Sequence, residues 1–263
     1  MRAVFREERE QALVSSYLPA KGFFVEVGAF QPVALSQTWE LERRGWDGLL
    51  IEPVPEHAQN LRRERRARVL EVACGTPEQH GATMPIHVAG GQSSFRFGRG
   101  PTRDVRVVTL DSVLADAGAP HVDFLSIDVE GAELDVLAGF SFDRYRPGLV
   151  LLEDFAEGFG KHRFMRAQGY KRVRRTGNNS WYVPREIPFR ISSFGRWQLV
   201  RKYYLSMPVR WLKQALKRLM RFRLKPKISF RFRRVRKASL AGNIIGVTTP
   251  QLSRRSISGS AVS

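Results

Sequence analysis

The sequence predicts a doubly wound α/β fold, a mostly parallel sheet with helices on both faces, followed by a strongly basic extension. Three observations lead there. Short apolar runs recur along the first two thirds of the chain, most of them ending at or beside a glycine or an acid. Helical patterns separate these runs with short connections, the rhythm of a parallel sheet. The charge then changes abruptly. Residues 1–160 hold 17 Lys and Arg against 24 Asp and Glu, whereas residues 161–263 hold 27 against a single acid, Glu186.

The first helical pattern, Glu7–Leu18, places Leu13, Val14, Tyr17 and Leu18 at near-helical spacing, and Pro19 stops it. FFVEVG (Phe23–Gly28) reads as a buried strand. Pro32 suits the first turn of a helix carrying Leu35, Trp39 and Leu41, with Gly45 at its end. DGLLIE (Asp47–Glu52) is a second strand. Pro55 opens a helix to about Arg66 with Ala58 and Leu61 inward, and RVLEVA (Arg68–Ala73) is a third strand. Residues 76–104, rich in Gly, Ser and Thr with a strand-like piece at Met84–Val88, read as an inserted hairpin or loop near the sheet edge. Alternation resumes at Arg106–Leu110, and Asp111 is expected to cap a short helix over Ser112–Ala117. VDFLSI (Val122–Ile127) is a further strand. Gly131–Gly139 follows as a helix with Leu134 and Leu137 inward, then LVLL (Leu149–Leu152). Tyr170–Arg174 and Ser180–Val183 are the last two strands, joined by the turn signal Thr176-Gly177-Asn178-Asn179.

These patterns divide the chain into a catalytic-type domain over 1–185 and a basic extension over 186–263. At 263 residues one sizeable core is possible. A single cysteine, Cys74, excludes an intrachain disulfide framework and fits a reducing compartment. With neither a secretory-type apolar run at the N-terminus nor a stretch of about 18 apolar residues anywhere, the expectation is a cytoplasmic protein, either free or peripheral at the inner membrane surface.

Open parallel sheets bind ligands beyond the carboxyl ends of their strands. The residues to question there are Glu26 and Gly28, Glu52, Ala73 and Cys74, Asp128, and Glu153 with Asp154. Gly28 lets a ligand approach the backbone. Glu52, about 24 residues later, is placed to accept both hydroxyls of a ribose. A nicotinamide dinucleotide would need the glycines of G-x-G-x-x-G for its pyrophosphate, whereas here Gly28 is followed by Ala29-Phe30-Gln31-Pro32. S-adenosylmethionine carries no phosphate; it carries a sulfonium, an amine and a carboxylate, and an acidic strand end suits it.

The pieces FFVEVGAFQP (23–32), GWDGLLIEPVPE (45–56), VVTLDSVL (107–114), VDFLSIDVEGAELDVLAGF (122–140), RPGLVLLED (146–154) and GNNSWYV (177–183) resemble the FkbM-type methyltransferases, class I enzymes dependent on S-adenosylmethionine. The most specific is IDVEGAELDVLAGF, and the resemblance covers about residues 10–185. It implies a seven-stranded sheet whose last strand is antiparallel. It also implies methyl transfer, often to a hydroxyl oxygen of a sugar or natural product. Carried over by position, it makes Glu26 and Gly28 the methionine-side contacts, Glu52 the ribose ligand, Ala73 and Cys74 the adenine-side loop, and Asp128 and Glu130 the methyl-transfer end. One departure stands out. Family members often carry a further glycine after Gly-Ala-Asn, where this chain has Phe30-Gln31-Pro32, which implies a tighter or shifted methionine pocket.

A hydroxyl nucleophile needs its proton removed as the new bond forms. Asp128 is the first choice of base, with Glu130 and Glu133 in the next turn and Glu153 and Asp154 flanking the cleft. Such carboxylates can also hold a divalent cation. No histidine or fixed second pair sharpens that case, and the site is read without metal. His57, His80, His87, His121 and His162 show no ligand spacing, and Asp135 reads as a solvated helix face.

In the extension, residues 207–224 (MPVRWLKQALKRLMRFRL) read as a basic amphipathic helix between Pro208 and Pro226. FRFRRVRK (230–237) continues the charge, and the last dozen residues are polar and expected to be disordered. An anionic membrane surface is the favoured partner, ahead of docking on the catalytic domain and of nucleic acid. The favoured function is O-methylation of a small-molecule or glycan hydroxyl. The alternative is a degenerate binding protein whose basic tail engages membrane or nucleic acid.

Overall fold

A computed structural model describes residues 4–90, 93–95, 101–155, 158–213 and 216. They belong to one unit, Met1–Met220, and the expectations for 217–263 lie outside them. In chain order the elements are α1 (Val4–Tyr17), β1 (Phe23–Val27), α2 (Trp39–Arg43), β2 (Asp47–Ile51), α3 (Pro55–Glu64), β3 (Arg68–Leu70), β4 (Ala73–Cys74), β5 (Thr83–His87), β6 (Thr102–Val108), α4 (Leu110–Asp116), β7 (Phe124–Ile127), α5 (Glu133–Ala138), α6 (Phe142–Tyr145), β8 (Leu149–Glu153), α7 (Gly160–Ala167), β9 (Tyr170–Thr176), β10 (Asn179–Pro184) and α8 (Ser193–Val200). A π-helical segment, Arg201–Leu205, and a helix over 207–213 follow.

Seven strands form one sheet in the order β3-β2-β1-β7-β8-β10-β9. The first five run parallel; β10, the last in sequence, is antiparallel to both neighbours. Strand alternation sends Val25, Leu49, Leu125 and Val150 to one face, where they meet α4–α7 side chains such as Leu114, Val136, Phe142 and Met165. It sends Phe24, Leu50, Phe124 and Leu151 to the other, against Val14, Leu41 and Leu61 of α1–α3. Both faces are therefore covered, which is why these strands read as unbroken apolar runs. Among the described residues, no helix is long and apolar enough to cross a membrane.

Several local expectations are corrected. No helix begins at Pro32. Phe30 and Leu35 have φ of +38° and +68°, and the Glu26 carboxylate captures Ser36, the Gln37 amide and Thr38, so that α2 starts only at Trp39. The run 68–73 splits between two sheets. β4 joins β6 and β5 in a small second sheet with its own core of Ala73, Ile86, Val105 and Val107. The strand expected at Arg106–Leu110 thus lies in that inserted unit as β6. Thr109, not Asp111, caps α4 by accepting from the Ser112 amide, while Asp111 accepts from the Ser141 amide. In α5, Val136 and Leu137 face inward and Leu134 is exposed.

The basic extension does not leave the domain at residue 185. Tyr203 and Met207, both buried, pack with Leu199 and Phe159.

Candidate active site

The strand order reverses between β1 and β7, because the chain builds outward from β1 through β2 to β3 and later from β7 to β8. A crevice opens at the carboxyl ends of strands flanking such a reversal. Here the crevice is lined from the ends of β1, β2 and β7, from β4 and β5, and from Phe30 and Phe95.

Gly28 ends β1 with φ +85°, and a Cβ there would lie 1.8 Å from the Asp128 carbonyl oxygen. The glycine is thus required by the approach of β7, in addition to any approach by a ligand. Gly28→Ala is expected to destabilise the ligand-free protein by roughly 2–5 kcal/mol, combining left-handed backbone strain with overpacking. Urea unfolding measures this, and an unchanged midpoint would mean the glycine serves ligand approach alone.

Glu52 follows β2 and lines the cavity. Its Oε2 accepts from the Phe30 amide at 3.0 Å and its Oε1 from the Val54 amide at 2.9 Å, with His57 Nδ1 3.4 Å from Oε1. The Phe30 ring meets His57 edge-on at 4.7 Å between centroids. The carboxylate is thus fixed by backbone, and each oxygen keeps a second lone pair for a ligand hydroxyl. Val72, Ala73, Cys74, Ile86 and Phe95 form an apolar wall, contributed mostly by the second sheet. Burial pushes the Cys74 thiol up to about 12, so it acts there as an apolar surface and not as a nucleophile.

Asp128 and Glu130 line the opposite end. Burial, then the charges of Glu130, Glu133 and Glu26, push Asp128 up to about 7, against a hydrogen bond with Glu153. Burial and the neighbouring Asp128, Glu130 and Glu133 push Glu153 up to about 10. Glu153 therefore holds the proton of this pair and shares it with Asp128. Burial and Glu133 also raise Glu130, opposed by Lys161.

Glu133 is fully buried; it accepts from the Gly131 amide at 2.8 Å and pairs with Lys161 at 2.6 Å. Lys161 also donates to the Glu153 carbonyl at 2.7 Å, tying α7 to the end of β8. One oxygen from each of Asp128, Glu130 and Glu153 lies within 4.8 Å of the others, a spacing from which three carboxylates can close on a divalent cation.

Of the residues singled out in the sequence, Gly28, Glu52, Ala73, Cys74, Asp128 and Glu130 converge on one cavity. Glu153 sits behind Asp128, outside the lining. Glu26 points away. Its carboxylate accepts from Ser36 Oγ at 3.0 Å and from the Gln37 amide at 2.7 Å, and Thr38 donates to it as well. Burial raises its pKa, opposed by Arg65. Its role is to shape the loop after β1. Asp154 is likewise occupied, accepting from the Tyr203 hydroxyl at 2.7 Å. Sequence reasoning missed His57, Lys161 and the Ile86 and Phe95 part of the wall, none of which carries a local signal of function.

The fold is thus a Rossmann-like α/β sheet with an acid-lined crevice at its switch point. Residues 26–172 match the family model described as the methyltransferase FkbM domain, and the chain belongs to that family; it is a methyltransferase. No curated protein matches the chain.

Proposed function

We propose that the chain transfers the methyl group of S-adenosylmethionine to a hydroxyl oxygen of a glycan, glycolipid or natural-product acceptor. The observation that carries this reading is the composition of the lining. Its described residues include three carboxylates and one histidine, Glu52, Asp128, Glu130 and His57, and neither lysine nor arginine. Such a lining favours a cationic adenosyl compound and disfavours a pyrophosphate.

In this reading Glu52 accepts the ribose hydroxyls, and the apolar wall of Val72–Cys74, Ile86 and Phe95 takes the adenine. Asp128 and Glu130 face the cationic end. Held by these residues, the cofactor would supply a methyl group activated on a sulfonium, with a neutral thioether as leaving group. The chain's own contribution is positioning and proton removal. Asp128, mostly ionised above about pH 7 and steadied by the Glu153 proton, takes the proton of the acceptor hydroxyl. Glu130 is placed to orient the acceptor, and Lys161 keeps Glu133 and the end of β8 in register.

Calorimetric titration of the full chain with S-adenosylmethionine and, separately, with NAD tests the assignment. Saturable binding of the first and none of the second is expected. NAD binding without S-adenosylmethionine binding would reverse it.

A further inference from the structure

We infer that the face formed by residues 193–216 rests on an anionic lipid surface, and that the acceptor hydroxyl belongs to a membrane-anchored molecule presented there. The acceptor half of this inference rests on the methyl-transfer reading above; the lipid-binding half does not.

The segment is held on the body by one stripe and exposed along another. Leu199, Tyr203 and Met207, spaced by four, pack inward with Phe159. The Tyr203 hydroxyl donates to Asp154 at 2.7 Å and accepts from Arg175 at 2.7 Å, and the Arg172 guanidinium lies over its ring. That attachment fixes the helical run on the strands at the far side of the sheet. The outward stripe is apolar as well. Of thirteen large apolar side chains exposed among the described residues, nine lie within 194–216. Phe194, Trp197, Tyr204, Leu205, Leu212 and Leu216 recur at helical spacing, with Phe194 69%, Tyr204 60% and Leu212 62% exposed. A helix of an ordinary globular surface is polar on its outer side. Clustered apolar exposure of this kind marks a contact surface.

The charges around that stripe select the occupant. Arg196, Arg201 and Lys213 are exposed among these residues, Lys202 and Arg210 are half-buried, and no acid occurs after Glu186. Aromatic and aliphatic side chains amid uniform positive charge fit the boundary of an anionic bilayer, where rings sit at headgroup level and each cation adds attraction. A protein interface in this setting would ordinarily deplete lysine and mix charges, and nucleic acid would leave the aliphatic Leu205, Leu212 and Leu216 without a role.

The position of the face gives it a catalytic consequence. Its anchor, Tyr203, bonds to Asp154, and Asp154 directly follows Glu153, the partner of Asp128. Consecutive Cα atoms are about 3.8 Å apart, so the lipid-facing segment is fastened to the methyl-transfer end of β8. An acceptor held in the bilayer would meet the enzyme at that end.

The test is flotation of the full chain with vesicles of phosphatidylcholine, with and without phosphatidylglycerol, at low and high salt, alongside a Trp197→Ser, Leu205→Ser, Leu212→Ser variant. These side chains are exposed and lie outside the cavity, so the fold and S-adenosylmethionine affinity of the variant should match the parent. The parent should float with phosphatidylglycerol vesicles, less at high salt, and the variant should lose about tenfold or more of its partitioning. Failure of the parent to float overturns the inference. Undiminished flotation of the variant, which would assign binding to residues beyond 216, overturns it too, as does retention on single-stranded DNA without flotation. For the acceptor, methyl-labelled S-adenosylmethionine is incubated with the protein and a reconstituted membrane lipid extract. Label is expected in the organic phase; label confined to water-soluble products overturns the lipid-borne acceptor. Absence of S-adenosylmethionine binding in the parent would instead remove the methyl-transfer reading, and calorimetry reports that separately.

Discussion

Replacing Glu52 by alanine is expected to weaken S-adenosylmethionine binding by about 100-fold or more. Two effects combine. The ribose hydroxyls lose charge-assisted bonds worth roughly 1.5–3 kcal/mol each. The Phe30 and Val54 amides, at 3.0 and 2.9 Å from the carboxylate, lose their common acceptor, so the loop that carries Phe30 is no longer pinned to the strand end. Glu52→Gln should fall between the two, because an amide offers one acceptor oxygen and turns a donor toward one of those two N–H groups. Calorimetry with the purified variants measures the loss, and urea unfolding separates it from general instability. An affinity for the alanine variant within threefold of the parent would remove Glu52 from the cofactor site.

Asp128→Asn should lower turnover by about 10²–10⁴-fold while leaving cofactor affinity within a few-fold. The amide keeps the shape of the side chain and cannot take the acceptor proton. The readout is release of the demethylated cofactor in the presence of the lipid extract. In the parent, burial and the charges of Glu130, Glu133 and Glu26 push Asp128 up to about 7. Activity should therefore rise with pH through about 7 as the base ionises, an apparent value that belongs to the Asp128–Glu153 pair. Glu153→Gln copies the protonated acid, since Glu153 is pushed to about 10, and should preserve that limb. The stability sign is opposite. A carboxyl whose folded pKa is raised from 3.8 to about 7 binds its proton more tightly in the native state. Its stabilising contribution is present at acid pH and is lost as pH rises through about 7. Asp128→Asn should therefore be at least as stable as the parent at pH 8, so its inactivity would not come from unfolding. Full turnover by the asparagine variant would exclude Asp128 as the base.

The exposure of the 193–216 face also bears on handling of the protein. Phe194, Tyr204 and Leu212 are more than half exposed, so self-association once salt screens the surrounding cations, and solubilisation by mild detergent, would follow from the same surface that we assign to lipid.

The five parallel strands and most of the helices between them were legible in the sequence, because a strand buried on both faces must be apolar along its whole length and its ends must carry the turn residues. Gly28, Glu52 and Asp128 were legible as strand ends for the same reason. Other features had no local cause to read. Glu26 occupies an equivalent place in its strand, yet alternation turns it to the α1–α2 face, where Ser36, Gln37 and Thr38 use its oxygens. Glu133 read as a candidate base in the turn after Asp128, yet it is fully buried and paired with Lys161, 28 positions on. The run 68–73 looked continuous, and only the second sheet explains why it breaks at residues 71 and 72.

Local periodicity thus carried the architecture and the placing of the strand ends, since both depend on neighbours a few residues away. The pairing of Asp128 with Glu153, the inserted wall over the cavity and the docking of Tyr203 on Asp154 were decided by strand order and packing. Those contacts join positions from about 25 to about 50 residues apart, and the field that raises a carboxyl pKa exists only once such distant charges are enclosed together away from water.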